Sequence, residues 1–508
     1  MCGFLISNSS IVTKDKESLI EEYLRFRGPD VSSGLIEHMG WKAYHSRLSI
    51  IGLSTANNQP MIDDKNGLLV FNGEILNYKA LGQEYFNQDY QSDTKLLSDL
   101  LKDNKLDLEQ LDGFFAFVYI DAEGKIKHAV RDFFGVKPLY YYEDENNGIT
   151  FCSEPNVIKQ LFNCSINEDS IEEYYATRAP IFSGSYFKGV NSVEPGSCFV
   201  QGHYFIIEKY LQCNYDTEVN YNNLNAAIDK GIDTRLVSDA PVGLLLSRGV
   251  DSHLLKSKAN INKYYSIGFE GDEDIEFLKN KNYKNLSIIE CEPREYREAL
   301  KYLLELRGEP MSVPNEVLLY LIAKKASDDG IKVLLSGEGA DEFFAGYDRV
   351  FTWAWQQKEF DLDVFLEKYC YIVPKKESRL YREFKKVFDN LGITNCFEKV
   401  RWFFIRYHMP VLFRRLDFSL MAAGVEGREP IANMHTFLES IRISPEELMG
   451  KSLGKIPLRK VLSSYMGENF AYEKKVGFPV DLTKIFENKD NLSSYELWFK
   501  ENLKALNI

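Results

Sequence analysis

Much is missing from this chain. None of its 8 cysteines stands in a CxxC pair, and no His-rich tract lies beside them. That argues against a structural zinc site and, at 508 residues, against a disulfide framework. No stretch approaches the roughly 20 apolar residues that a membrane helix needs. The start, Met-Cys-Gly-Phe-Leu-Ile-Ser, has neither a basic region nor a long apolar one, so no signal peptide is expected. Positive charge is also short: 61 basic against 75 acidic residues give a net charge of −14, a poor match to a phosphate-tracking surface. Internal repeats and low-complexity tracts are absent. Together these absences exclude membrane-spanning and nucleic-acid-binding classes as expectations and leave a cytoplasmic protein with reduced thiols.

The rest is an ordinary globular mix, 44% hydrophobic and 27% charged. At about 150 residues per domain, the length suggests roughly three domains. Residues 2–203 read as a β-rich α/β unit, with apolar runs at 3–7, 68–71, 115–120 and 149–152 and helical periodicity at 77–86 and 93–102, where Ser92 or Asp93 is a cap. Residues 204–219 have no clear periodicity and read as a linker. From 220 to 508 helices dominate, broken by short apolar strands at 243–246 and 332–335 that each run into a Gly/Ser turn and a new helix. Ligands sit at the carboxyl ends of such strands in parallel α/β sheets, so both turns are candidate site loops.

Cys2 is the first candidate nucleophile. Once Met1 is removed it carries a thiol and a free α-amine, so nucleophile and base come from one residue. Taken alone, a small apolar residue in a strand explains it as well. Its companions weigh against that: Arg27-Gly28-Pro29-Asp30, His45-Ser46-Arg47-Leu48-Ser49-Ile50, Asn72-Gly73-Glu74-Ile75 and Ser92-Asp93-Thr94. This set resembles the glutaminase domain of class II, N-terminal-nucleophile amidotransferases, as found in the asparagine synthetase family. Glutamine presents a carboxylate, an ammonium and an amide. Arg47 suits the carboxylate, Glu74 and Asp93 the ammonium, and Asn72 with the Gly73 N–H an oxyanion hole. Lys95 stands where the family often has an acidic residue, and no role is attached to it.

The second constellation is Leu246-Ser247-Arg248-Gly249-Val250-Asp251-Ser252, a strand, tight turn and helix start whose N–H groups and hydroxyls face an anion. It resembles the family's pyrophosphate loop, Ser-Gly-Gly-x-Asp-Ser, with Arg248 replacing the second position. If that position needs φ > 0, a side chain there costs about 1 kcal/mol; a tolerated or phosphate-facing Arg248 is expected. The third is Ser336-Gly337-Glu338-Gly339-Ala340-Asp341-Glu342, where acidic residues crowd among glycines.

By resemblance, Leu246, Ser247, Gly249, Asp251, Ser252, Ser336 and Gly337 bind ATP, Ser266 and Gly268 lie on the adenine-contacting strand, and Lys475 neutralises the departing pyrophosphate. Asp251 and Asp341 hold Mg²⁺, and Glu338 sits near the acceptor. The resemblance covers residues 2 to about 200 and 225 to about 480.

The implied fold is α/β (α+β): an αββα sandwich followed by a helix-rich unit around a parallel sheet. The implied reaction is glutamine- and ATP-dependent amidation of a carboxylate through an acyl-adenylate, with a mostly apolar interior passage for ammonia. Its substrates are glutamine, ATP and aspartate, or another carboxylate such as a uronic acid, an alternative kept open by Arg248, Gly427 and Glu429. A homodimer is left open. A glutaminase or regulatory protein with a dead synthetase unit, and a β-lactam-forming cyclase, rank lower because Asp251, Glu338, Asp341 and Lys475, and Cys2 with Arg47, are all present.

Overall fold

A computed structural model describes residues 2–211, 214–450, 453–473 and 480–508. In the first 200 residues the apolar runs pair into two antiparallel sheets. One is ordered Asn191–Ser192, Tyr140–Glu143, Ile149–Cys152, Cys2–Ser7, Trp41–Arg47, Val31–Ser32. The other is ordered Gly202–His203, Ser197–Cys198, Ile126–Arg131, Gly113–Ile120, Leu68–Ile75, Met61–Ile62.

Side chains alternate across each strand, and each face finds a different partner. Phe4 and Ile6 meet Leu68, Val70, Ala116 and Val118 between the sheets. Leu5 turns the other way, onto Ile20, Leu24 and Val157. Leu69, Phe71 and Phe117 turn towards Leu97 and Leu100 of the helix Asp93–Lys102. With both faces covered, the strands read as unbroken apolar runs instead of alternating ones. The result is the expected αββα sandwich.

The segment 204–219 is more than a connector. Phe205, Ile207 and Leu211 are buried, and Phe205 packs edge-on to Phe133, Phe134 and Phe437.

Beyond it, five strands form a parallel sheet ordered Leu286–Glu290, Tyr264–Gly268, Val242–Leu245, Val333–Leu335, Glu426–Arg428 among the described residues. The chain winds outward from Val242–Leu245 on one side and then returns to its other side. The crevice between Val242–Leu245 and Val333–Leu335 is therefore a topological switch point, where such sheets bind ligands.

The two units share a seam that is part aromatic and part ionic. Phe134 lies 5.4 Å from Phe343 and 5.6 Å from Phe437. Buried Arg27 bonds Glu154 at 2.6 Å and Asp417 at 2.8 Å, and Arg414 meets Glu154 at 2.7 Å. No helix among the described residues is long and apolar enough to cross a membrane. The described cysteines are all free; Cys213 lies outside the described residues.

Candidate active sites

Strand pairing assembles the first site. Cys2 is opposite Arg47 in the antiparallel register, and the Cys2 N–H donates to Asn72 Oδ1 at 3.0 Å. That bond orients the amide of Asn72, whose Nδ2 is fully buried and has no partner among the described residues. A buried amide N–H without an acceptor is costly unless a ligand supplies one. Gly73 follows at φ 136°, and a Cβ there would lie 2.1 Å from the Phe114 carbonyl oxygen, so glycine is required.

Burial raises the Cys2 thiol above its ordinary pKa. Glu74 and Asp93 are both buried, and Asp93 accepts N–H bonds from Ile75 at 3.1 Å and Thr94 at 2.7 Å. Burial and then the neighbouring Asp93 push the Glu74 carboxyl well above its usual range, and burial raises Asp93 too. Two adjacent carboxyls out of water cannot both ionise cheaply without a cation between them. Arg47 turns its Nη groups onto the carbonyls of Gly52 (2.6 Å) and Ser54 (3.0 Å) and onto Asn58 Oδ1 (2.8 Å). It brings a positive charge beside Cys2 while these bonds brace the 51–58 loop.

The second site fills the switch point. A cavity of about 290 Å³ is lined by Leu246, Ser247, Asp251, Ser252, Ser266, Ser336, Gly337, Glu338 and Asp341, so most of the sequence-derived nucleotide residues converge. The two serines also build the turn: Ser252 Oγ donates to the Ser247 carbonyl at 2.9 Å, and the Gly249 N–H donates to Ser247 Oγ at 3.2 Å. Gly337 permits close approach, because a Cβ would stand 2.6 Å from Asp251 Cβ.

Gly249 and Gly268 lie off the cavity lining. Gly268 is there for packing, with a Cβ only 2.6 Å from Ile275. Arg248 is not in the left-handed region, so the turn carries no strain at that position. Its guanidinium pairs with Glu473 and lies 5.0 Å above the Phe277 ring, outside the cavity lining. Lys475 lies outside the described residues.

Sequence reasoning missed Lys455. Its Nζ stands 2.7 Å from both Asp251 Oδ2 and Asp341 Oδ1, and those carboxylates, against its burial, hold its pKa above the ordinary lysine value. Gly346 and Gly454 clear its way: a Cβ on Gly346 would stand 2.2 Å from Lys455 Cε, and one on Gly454 would meet the Ala345 carbonyl at 2.0 Å. The dipeptide Gly454-Lys455 ahead of a helix was the available signal, but a short one. Asp274 and Asn315 also line the cavity and carried no motif.

Beside its aromatic contacts, the seam between the two units buries a set of charged side chains. Arg27, Lys137, Asp417, Glu426, Arg428 and Glu429 are all buried there. Glu426 acts electrostatically on Glu74, and Glu338 on Glu429, so this short strand region is coupled by charge to both sites.

Residues 1–211 match a glutamine amidotransferase domain, and residues 223–504 match asparagine synthase. The class is therefore a glutamine amidotransferase domain followed by a synthase domain. The chain belongs to the asparagine synthase family. It is similar to the glutamine-hydrolysing asparagine synthetase 1 of Bacillus subtilis (strain 168), at 28% identity over 97% of this chain and 89% of that protein. It is also similar to the glutamine-hydrolysing asparagine synthetase B of Escherichia coli (strain K12), at 25% identity over 94% of this chain and 80% of that protein. The glutamine-hydrolysing asparagine synthetase of Zea mays is 25% identical over 94% of this chain and 77% of its own length.

Proposed function

We propose that this chain is a carbon–nitrogen ligase that uses glutamine and ATP to turn a carboxylate into an amide, with aspartate as the first-choice acceptor. The observation that carries the proposal is the unpartnered Asn72 amide beside Cys2 on the same chain as a switch-point cavity floored by Asp251 and Asp341. With Met1 removed, the Cys2 thiol passes its proton to its own amine and attacks the glutamine amide carbon. Asn72 Nδ2 and the Gly73 N–H receive the oxyanion, each donor contributing about 3–4 kcal/mol. Ammonia leaves, and water hydrolyses the thioester. The Arg47 charge attracts the glutamine carboxylate, and the Glu74–Asp93 pair takes its ammonium.

At the second site the turns at 246–252 and 336–339 hold the ATP phosphates, Ser266 faces the base, and Lys475 is assigned to the pyrophosphate. Asp251 and Asp341 fit a Mg²⁺ ion, because both already converge on one cation, the Lys455 ammonium. When bound, the ion supplies charge neutralisation across the phosphates. The acceptor carboxylate attacks the α-phosphorus, pyrophosphate leaves, and Glu338 stands beside the acyl-adenylate that ammonia then attacks. The assignment divides the chain into a glutaminase unit, 2–203, and a synthetase unit, 220–508.

A second acceptor reading, a uronic acid or other sugar carboxylate, is favoured by Gly427 and Glu429. Both depart from the family pattern, Gly427 within the strand that pairs with Val333–Leu335 and Glu429 just beyond its end. Incubation with ATP, glutamine and a panel of carboxylates, scoring AMP and glutamate, tests both readings. AMP with aspartate supports the first, AMP with a uronic acid alone supports the second, and glutamate without AMP under any acceptor overturns the ligase.

A further inference from the structure

Glu429 is a carboxyl with nothing to hold it. It is 3% exposed, and among the described residues its side chain makes no hydrogen bond and no ion pair. Such a group is expensive to bury, and most buried acids in this protein are matched. Asp417 has Arg27 and Lys137, and Glu154 has Arg27 and Arg414.

Its position is informative. The strand Glu426–Arg428 pairs in parallel with Val333–Leu335, and the Ser336 N–H donates to the Arg428 carbonyl at 2.8 Å. Glu429 therefore leaves the sheet beside the turn that carries Glu338. Four charged groups act on it from the surrounding elements. Lys137 comes from the sandwich, Asp417 from the helix Met409–Met421, Glu338 from the turn and Arg235 from the helix Tyr221–Arg235. Of the two cations, Lys137 is 3.4 Å from Asp417 and Arg235 is 2.9 Å from Asp112, so both are already engaged. Among the described residues no unengaged cation acts on Glu429, which suits it to a small mobile one.

We propose that Glu429 receives the nitrogen that crosses from Cys2: its carboxylate binds an arriving ammonium ion and withdraws one proton, releasing ammonia next to the acyl-adenylate. This inference rests on the ligase reading above. One N–H bond breaks, its electron pair becomes the ammonia lone pair, and an O–H bond forms on Glu429. Ammonia then forms the C–N bond while the C–O electron pair leaves with AMP. The surplus proton of the adduct passes to Glu338, and both carboxyls return their protons to water as products depart. Burial supports the acid–base role by raising Glu429 to about 7, with Lys137 pulling it down and Asp417 and Glu338 pushing it up. A group of that strength exchanges protons near neutrality.

The test uses the full chain and an acceptor that yields AMP in the panel. Acceptor-dependent pyrophosphate release, glutamate release and amide formation are measured from pH 6 to 9, with glutamine or ammonium chloride as nitrogen source. In Glu429→Gln, glutamate and pyrophosphate release are expected to persist. Amide formation from ammonium is expected to fall about ten-fold or more at pH 6–7 and to approach the unmodified protein at pH 9, where free ammonia is plentiful, about 1.4 kcal/mol per ten-fold. Glu429→Asp, which keeps the acid, should recover part of the low-pH rate. Matching pH profiles in the unmodified and Gln proteins would overturn the inference, as would equal losses in the Gln and Asp variants. Failure of the unmodified protein to make AMP with any acceptor would overturn the ligase reading itself.

Discussion

Each proposed pocket contains a pair of neighbouring acids, buried in the first and half-buried in the second, and the pairs are treated in opposite ways. Between Asp251 and Asp341 the protein inserts its own cation, Lys455, 2.7 Å from each. Glu74 and Asp93 lie against one another, and burial with mutual repulsion drives Glu74 far up. The first arrangement keeps a permanently charged cradle, suited to a cation and phosphates that come and go. The second is poised for a ligand carrying its own positive charge, as an amino acid does. The same chemistry, two neighbouring carboxyls, thus reads as two different ligand specifications.

The largest expected effect separates the pockets altogether. Cys2→Ala should abolish glutamate release and glutamine-dependent amide formation while ammonia-dependent amide formation persists; loss of both would contradict two chemically separate sites. Next, Lys455→Met removes the cation from the second pair. With Asp251 and Asp341 partly exposed, losing this pairing costs less than the about 3–5 kcal/mol of a fully buried pair, read as a lower denaturation midpoint, and added magnesium chloride should recover part of it. An unchanged midpoint would mean that the two aspartates do not need Lys455.

The first pair predicts a pH slope. Glu74 is raised in the folded chain above its ordinary value of 4.5. Its favourable contribution is therefore complete below about 4.5 and is lost as pH rises towards the folded value. Glutamine-free protein should lose stability over that rise, and glutamine should flatten the slope by bringing its ammonium. Glu74→Gln should flatten it without ligand and raise the KM for glutamine about 10- to 100-fold, the equivalent of a charged hydrogen bond. A steep slope persisting in the variant would assign the pH dependence to another group.

The sandwich was largely legible because its strands are covered on both faces. The runs beginning at Gly3, Leu68, Phe115 and Ile149 are nearly unbroken apolar stretches, and Ser92 caps the following helix by accepting the Lys95 N–H at 3.3 Å. The short strand Glu426–Arg428 was illegible. Three residues, two of them charged, have no period, and only the parallel register with Val333–Leu335 makes them a strand. Site residues in compact motifs could be placed from sequence, since a turn brings its own members together. Lys455 and Glu429 come from distant segments and meet the site only through packing. Glu429 showed as an odd residue in a familiar stretch, and nothing in the sequence said that it would be buried without a partner.

The smallest expected effect concerns Arg248, where sequence and structure diverge most. An arginine in a glycine-rich phosphate turn invites two explanations, strain or a phosphate contact, and the geometry offers neither. The residue is outside the left-handed region, so returning glycine relieves nothing. Its side chain is 27% exposed, paired with a 42% exposed Glu473 and stacked over Phe277. A pair that open contributes about 0–1 kcal/mol, and the ring contact about 0.5–1 kcal/mol. Arg248→Gly should therefore lower stability by only about 0.5–2 kcal/mol, with acceptor-dependent AMP formation unchanged. A ten-fold fall in AMP formation at unchanged stability would show that the guanidinium swings from Glu473 onto the phosphates when nucleotide binds, and the turn would then owe part of its positive charge to this side chain.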